Sequence, residues 1–423
     1  MDELLNPVVI AQDSLIRLEN DLTMMKMVSR EFDEKFAVKN EKIGYTFNAR
    51  LPVRLRGRRG DGVKPEGIQE QMVPITINEL WGQDLQNSDQ DLTLTIDRFG
   101  ERYVEPASAT IANMIDGDLC DLFPGFFTFV GTPGVLPNSV ATYAQAGVQL
   151  VNNGVPRTVT LNAMVISPDQ TAAVLGFNAN LLNPVKEISM QYTTGKMGTA
   201  LGFKFNEDVN IARFQVGALG TAGAIGSNPL VDITGGGITN NGATIQTRAW
   251  DNSIANCLNL GDIVQFAGSY AVNPISYRNV GPLRSFTLTS AMTTTNAGVG
   301  VMNISPPINA DTTTPFQTVT ALPADGAQVF VWGLAYTSFT SIANTYSAQG
   351  MAFHRDAIAL AVVKQELPGG MEWSEWVSNP KAGVGIRLVR GYVIGTNEKI
   401  TRLDVLGGVK LVRPDMGVRV CGA

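Results

Sequence analysis

GVGIRLVRGYVIGTNEKITRLDVLGGVKLVRPDMGVRV, residues 383–420, alternates apolar and polar side chains in runs separated by GTNEK (395–399) and by the pair Gly407–Gly408. Strict alternation is the mark of strands with one buried face, and the Gly/Asn punctuation reads as turns between them. The chain therefore closes in sheet. Helical patterns stand earlier: Pro106 opens one over 107–123, with Ile111, Ile115, Leu119 and Leu122 on one stripe. A second helix runs over 139–151, and a third opens at Ser167 with Pro168 in its first turn. RTVTLNAMVI (157–166) and DLTLTIDRFG (from Asp91) read as strands between them, so the fold class is α+β.

Between these halves the composition changes. Residues 214–340 carry only three bases, Arg248, Arg278 and Arg284, and five acids, Asp232, Asp251, Asp262, Asp311 and Asp325. Short β-prone pieces (DIVQFAG, SFTLTS, VFVWG) are punctuated by GGGITNNG and SPPINAD, which predicts a small β-barrel or sandwich. If elements before 214 and after 340 share a sheet, this module is an insertion into a parent domain. Charged, helical sequence is expected to resume near Ser338.

Working toward the N-terminus, IGYTFNARLPVRL (43–55) alternates until RGRRGDG breaks it, and VPITINELW from Val73 can pair back. A long hairpin or extended loop results. Between residues 42 and 64 its arginines Arg50, Arg54, Arg56, Arg58 and Arg59, with Lys42 and Lys64, face a lone acid, Asp61. Three readings fit: contact with acidic residues of adjacent subunits, a solvated loop tip, or nucleic acid. Few aromatic residues interleave with the arginines, which weakens a stacking platform for single strands. Before the loop, Ser14 can cap an amphipathic helix carrying Leu15, Leu18, Leu22, Met25, Phe32 and Phe36, packed on its own domain or on a neighbouring subunit.

At 423 residues the chain has room for two or three compact units. Charged residues are only 17% of it and the net charge is −6, too acidic for a general nucleic-acid wrapper though not for a protein that encloses DNA. Cys120, Cys257 and Cys421 are scattered and odd in number, so neither a disulfide framework nor a zinc site is signalled. The N-terminus has no signal-peptide pattern and no run is long enough to span a bilayer, which reads as a soluble, intracellular protein.

Chemistry is sparse. His354 is the only histidine and no GxSxG, HExxH or EF-hand pattern accompanies it. GALGTAGAIG (217–226) lacks the lysine of a phosphate-binding loop and reads as a linker into the inserted module. Asp97 with Glu101, or Asp116 with Asp118, could be paired carboxylates, at spacings that surface acids commonly show. No catalytic, cofactor or metal residue is assigned.

MAFHRDAIALAVVKQELPGG (351–370) and TRLDVLGGVKLVRPDMGVRV (401–420) resemble the C-terminal part of the coat proteins of short-tailed phages of the P twenty-two type. GDIVQFAG (261–268) resembles a strand opening of that family's inserted domain, and LNPVKEISMQYTTGKMGTALGFKFNEDVN (182–210) its region before the insertion. The resemblance runs from about residue 40 to the end. It implies the HK ninety-seven capsid fold: an N-terminal arm (1–42), an E-loop (43–80), a peripheral domain with a spine helix (81–130), an axial domain (131–217), an inserted β-barrel (218–336) and a C-terminal axial and peripheral part (337–423). It further implies a shell of identical subunits enclosing double-stranded DNA in a virion, with the arginines of the loop as inter-subunit contacts, scaffolding and portal proteins as partners, and no cofactor. A secreted or surface β-rich adhesin is the alternative, and a hydrolase using His354 a more distant one.

Overall fold

The computed structural model describes residues 12, 14–18, 22–30, 46–57, 60–63, 65, 67–88, 103, 105–158, 161–177, 198–220, 229–234, 238–379, 384–396 and 398–423. The strand expected from Asp91 lies outside them. The chain forms two compact units, one of Met1–Arg50, Met72–Cys120 and Ile358–Val412, the other of Leu51–Gln71, Asp121–Ala357 and Arg413–Ala423.

The first unit is organised by the long strand Glu398–Leu411, which pairs antiparallel with Glu79–Ser88, Val384–Val393 and Ile358–Val363, while Trp373–Asn379 forms an edge beyond Val384–Val393. A hairpin connects Val393 to Glu398 at GTNEK, but Gly407–Gly408 does not divide strands. The ladder runs straight through it because other groups lie too close for side chains: a Cβ on Gly408 would stand 2.1 Å from the Thr76 carbonyl oxygen, and one on Gly407 2.7 Å from the Trp81 ring. The glycines thus serve close approach rather than a turn.

Helix Glu105–Cys120 buries Ala107, Ile111, Ala112, Ile115 and Leu119, the stripe that its spacing predicts. It stops three residues short of the expected Phe123, and a 3₁₀ turn Phe123–Gly125 with Pro124 inside it follows. The described part of the arm packs on this same unit. Leu15, Leu18 and Leu22 are buried, the Thr23 amide donates to Asp116 Oδ2 at 2.7 Å, and Arg17 pairs with Glu105 at 2.7 Å. A continuous helix is not kept: Met25–Met27 is 3₁₀, and Ser29 then joins the sheet, its amide donating to the Ile358 carbonyl and its carbonyl accepting from Leu360. Phe32 and Phe36 lie outside the described residues.

The second unit holds a seven-stranded mixed sheet in the order Phe129–Val130, Gly417–Cys421, Tyr346–His354, Asn162–Ile166, Phe203–Glu207, Thr199–Ala200, with Arg213–Gln215 also pairing onto Tyr346–His354. Elements from before 214 and after 340 do share a sheet. The helix expected from Ser338 is a correction: only Tyr336–Phe339 is α-helical, and Tyr346–His354 and Ile358–Val363 are strands. Every residue of Tyr346–His354 but the first is buried. A strand covered on both faces shows no alternation, and an apolar run of this kind cannot be told from a buried helix by period alone. Helix Val140–Asn152 starts where Ser139 Oγ accepts the Ala141 amide. Helix Pro168–Phe177 starts with a reciprocal cap, Gln170 N to Ser167 Oγ and Ser167 N to Gln170 Oε1.

Within 218–336 six strands form an antiparallel sheet in the order Val329–Val331, Ile263–Val272, Asn279–Leu288, Gly300–Ile308, Gly242–Arg248, Leu230–Val231. The two ends of this order meet, with Val231 N to Ala327 O at 2.8 Å and Val329 N to Pro229 O at 2.9 Å, so the sheet nearly closes into a barrel. Ile245, Val264, Phe266, Phe286, Ile304 and Val331 fill it, with the Phe266 and Phe286 rings 5.7 Å apart.

Candidate assembly surface

The loop begins from a ladder in which Thr46–Arg50 pairs antiparallel with Met72–Thr76, Thr46 opposite Thr76 and Arg50 opposite Met72. Pro52 takes an amide out of any continuing ladder, and beyond it the chain runs without regular structure, Leu51 N still reaching Gln71 O at 2.9 Å. Residues 60–70 are exposed wherever they are described, including Val63 at 88% and Ile68 at 71%.

The arginines divide into groups. Arg50 is exposed at the end of its strand. Arg54 Nη2 lies 2.8 Å from Asp415 Oδ2, a carboxylate that Arg413 also approaches at 3.8 Å. Arg56 donates to Gln317 Oε1 at 2.9 Å and to the Thr314 carbonyl at 3.3 Å, and its guanidinium stacks over the Tyr277 ring at 4.5 Å. Arg58 and Arg59 lie outside the described residues. Arg54 and Arg56 thus take partners inside the chain, and fasten the root of the loop to the C-terminal segment and to the inserted barrel. Asp415, Tyr277 and Gln317 carried no sequence signal, because nothing local to the loop points to residues more than 200 positions away.

The root of the insertion is a second built feature. Asp262, fully buried, accepts the Asn259 amide at 2.7 Å, the Gly217 amide at 3.0 Å and the Trp332 indole N–H at 3.0 Å. It therefore holds both crossovers, Gly217 on the way in and Trp332 on the way out. Burial raises its pKa to about 6 against the lowering effect of these donors and of Arg419. Arg419, also fully buried, donates to Gln349 Oε1 at 2.9 Å and to the Gly261 carbonyl, and lies 4.7–5.1 Å from the Trp332, Phe123 and Phe214 rings. Burial pushes its guanidinium down to about 10, so it stays charged at neutral pH. The start of GALGTAGAIG belongs to this root: Ala218 and Leu219 donate to the Asn256 and Cys257 carbonyls, and a Cβ on Gly217 would fall 2.4 Å from Cys257 O. The one clue in the sequence was scarcity. A module with eight charges in 127 residues uses them for structure, as Arg248 does in pairing with Asp232 at 3.3 Å and Asp325 at 3.0 Å.

The remaining described candidates make contacts within the chain. His354 is 4% exposed, its Nδ1 accepts the Asp356 amide at 3.3 Å, and burial lowers its pKa. Asp116 accepts the Thr23 amide and Asp118 the Trp81 indole N–H at 2.6 Å, so neighbours two apart on a helix serve different contacts. Asp97 and Glu101 lie outside the described residues. Cys120, Cys257 and Cys421 are buried and form no disulfide. Among the described residues no His/Cys/Asp/Glu group could hold a metal, and no helix is long and apolar enough to cross a membrane.

The family model described as P22 coat protein, gene protein 5, matches residues 18–422. The chain belongs to the P22 coat protein family. This coat protein is thus a structural capsid subunit of a phage, self-assembly into a shell and a place in the virion follow from the family, and the adhesin alternative is left without support. No curated protein matches the coat protein by sequence. Among solved structures it is similar to one titled Mycobacterium phage Che8, at 11% identity over 94% of this chain and 90% of that one, TM-score 0.45. Similar too are the capsid of Ralstonia phage GP4 (12% identity, 90% and 83% covered, TM-score 0.44) and the CUS-3 coat protein I-domain (21% identity, 25% and 96% covered, TM-score 0.18).

Proposed function

We propose that this coat protein builds an icosahedral shell around double-stranded DNA, assembled in the host cytoplasm with a scaffolding protein and a portal, and that it has no catalytic activity. The supporting observation is the loop at 51–71, which is tied down at its root and exposes Val63 and Ile68 further out. Such a loop is preordered at one end and can bury apolar surface only against another subunit. Many modest contacts of this kind, summed over a closed symmetric assembly, stabilise a shell without any single tight pair.

In this reading residues 1–42 are the arm, 43–80 the E-loop, 81–130 the peripheral domain with its spine helix, 131–217 and 337–423 the axial and remaining peripheral parts, and 218–336 the inserted barrel. Arg50, Arg58 and Arg59 meet acidic residues of adjacent subunits, while Arg54 and Arg56 set the direction in which the loop leaves its own subunit. The test is charge reversal at Arg50, Arg58 and Arg59 in the full chain. Assembly followed by light scattering slows sharply while the urea midpoint of the monomer stays put; shells forming at the normal rate would overturn the role of these arginines.

A further inference from the structure

We propose that a cleft at Arg284, where the inserted barrel meets its parent sheet, binds a small monovalent anion of chloride size. Arg284 stands on the strand Asn279–Leu288 and is 8% exposed, and its guanidinium lies over the Phe127 ring at 4.4 Å. Its Nη1 reaches only Asn153 Oδ1, at 3.5 Å, the outer limit of a hydrogen bond, and its Nε has no hydrogen-bond partner among the described residues. The cleft beside it, lined also by Gln149, Asn152, Asn153 and Ser285, offers about 20 Å³ to a water-sized guest.

A desolvated guanidinium is costly unless a negative group compensates it. The carboxylate that acts on Arg284 is Asp415, and that group is already committed to Arg54 at 2.8 Å and approached by Arg413 at 3.8 Å. Three cations therefore share one anion, and Arg54 adds to the repulsion that Arg284 feels. Burial and this repulsion bring the Arg284 guanidinium only down to about 10, so it remains a cation at neutral pH. A negative guest would restore the balance. Its donors would be the Arg284 guanidinium, the Ser285 hydroxyl, whose oxygen accepts from Gln265 at 2.8 Å, and the amides of Gln149 and Asn152 at the cleft wall. The cleft volume of about 20 Å³ leaves room for a single small ion. Asn152 and Asn153 belong to the parent and Arg284 and Ser285 to the barrel, so the bound ion would hold the insertion on its parent.

The experiment uses the full-length subunit as monomer. Chloride-35 line width is followed as chloride is added at constant ionic strength to buffer containing sulfate, and the thermal midpoint is recorded in parallel. The proposal expects saturable broadening and a midpoint that rises with chloride and levels off, since a ligand bound only by the native state stabilises it. Arg284→Met, which keeps the packing on Phe127 and removes the charge, should melt no lower than wild type in sulfate and should show neither response. Arg284→Lys keeps the charge without the planar guanidinium fork and should weaken chloride binding by roughly tenfold or more, as loss of a charge-assisted hydrogen bond does. Wild type and Arg284→Met showing the same line width and the same chloride dependence would overturn the proposal and leave the cleft to water. Should Arg284→Met fail to fold, a wild-type midpoint equal in chloride and sulfate overturns it alone.

Discussion

Replacing Arg419 by Met removes the charge from the root of the insertion while keeping most of the volume. The Gly261 carbonyl and Gln349 Oε1 each lose their buried donor, and Asp262 loses the cation that lowers its pKa. Breaking a buried charged network from one side costs about 3–5 kcal/mol. The loss should depend on pH, and its sign is fixed. The native pKa of Asp262 is already raised from 3.8 to about 6, so between those values the native state binds the extra proton and stability falls as pH rises. Without Arg419 the native pKa rises further, which carries that fall to higher pH, each added unit being worth about 1.4 kcal/mol. The variant is therefore most impaired near pH 7 and partly recovers near pH 5. Urea unfolding of the monomer at both pH values, followed by the summed fluorescence of its tryptophans, reads the difference directly. A loss under about 1 kcal/mol, or one equal at the two pH values, would refute the reasoning that Asp262 and Arg419 act together across Trp332.

Gly408→Ala should destabilise the first unit by about 1–3 kcal/mol or more, because its Cβ would sit 2.1 Å from a backbone carbonyl clamped in the sheet; an unchanged urea midpoint would contradict the close approach. Arg54→Glu places two carboxylates together at Asp415, and since the pair is partly exposed the monomer should lose only about 1 kcal/mol while assembly slows; normal assembly kinetics would show that the loop root is not used. His354 is held neutral by burial, with a native pKa below 6.5, so its contribution is present above pH 6.5 and lost as pH falls through the native pKa. His354→Gln should flatten that part of the stability profile, and a profile identical to wild type would place the acid sensitivity elsewhere. Replacing 218–336 by a short glycine bridge removes Asp262 and opens Arg419 to solvent, so soluble yield and shell-size uniformity should both drop; wild-type values would refute a supporting role for the barrel.

What was legible in the sequence was what local chemistry dictates. Ser139 and Ser167 announce helix starts because their hydroxyls cap them, and Ile111, Ile115 and Leu119 announce a buried face because they share a stripe. The barrel announced itself through its lack of charge. The stretch 346–363 did not read as strands, because strands buried on both faces lose the alternation that separates them from helices. Gly407 and Gly408 read as a break because the groups that need them to be glycine, Trp81 and Thr76, lie more than 300 positions earlier. For the same reason the loop arginines were visible as a cluster, but their division was not: only the folded chain brings Asp415 to Arg54 and Tyr277 to Arg56.

The shell-forming role is tested most directly by negative-stain electron microscopy of the chain expressed in bacteria with and without its scaffolding protein. Closed particles of uniform size with the scaffolding protein are the predicted result; monomers alone under both conditions would contradict it.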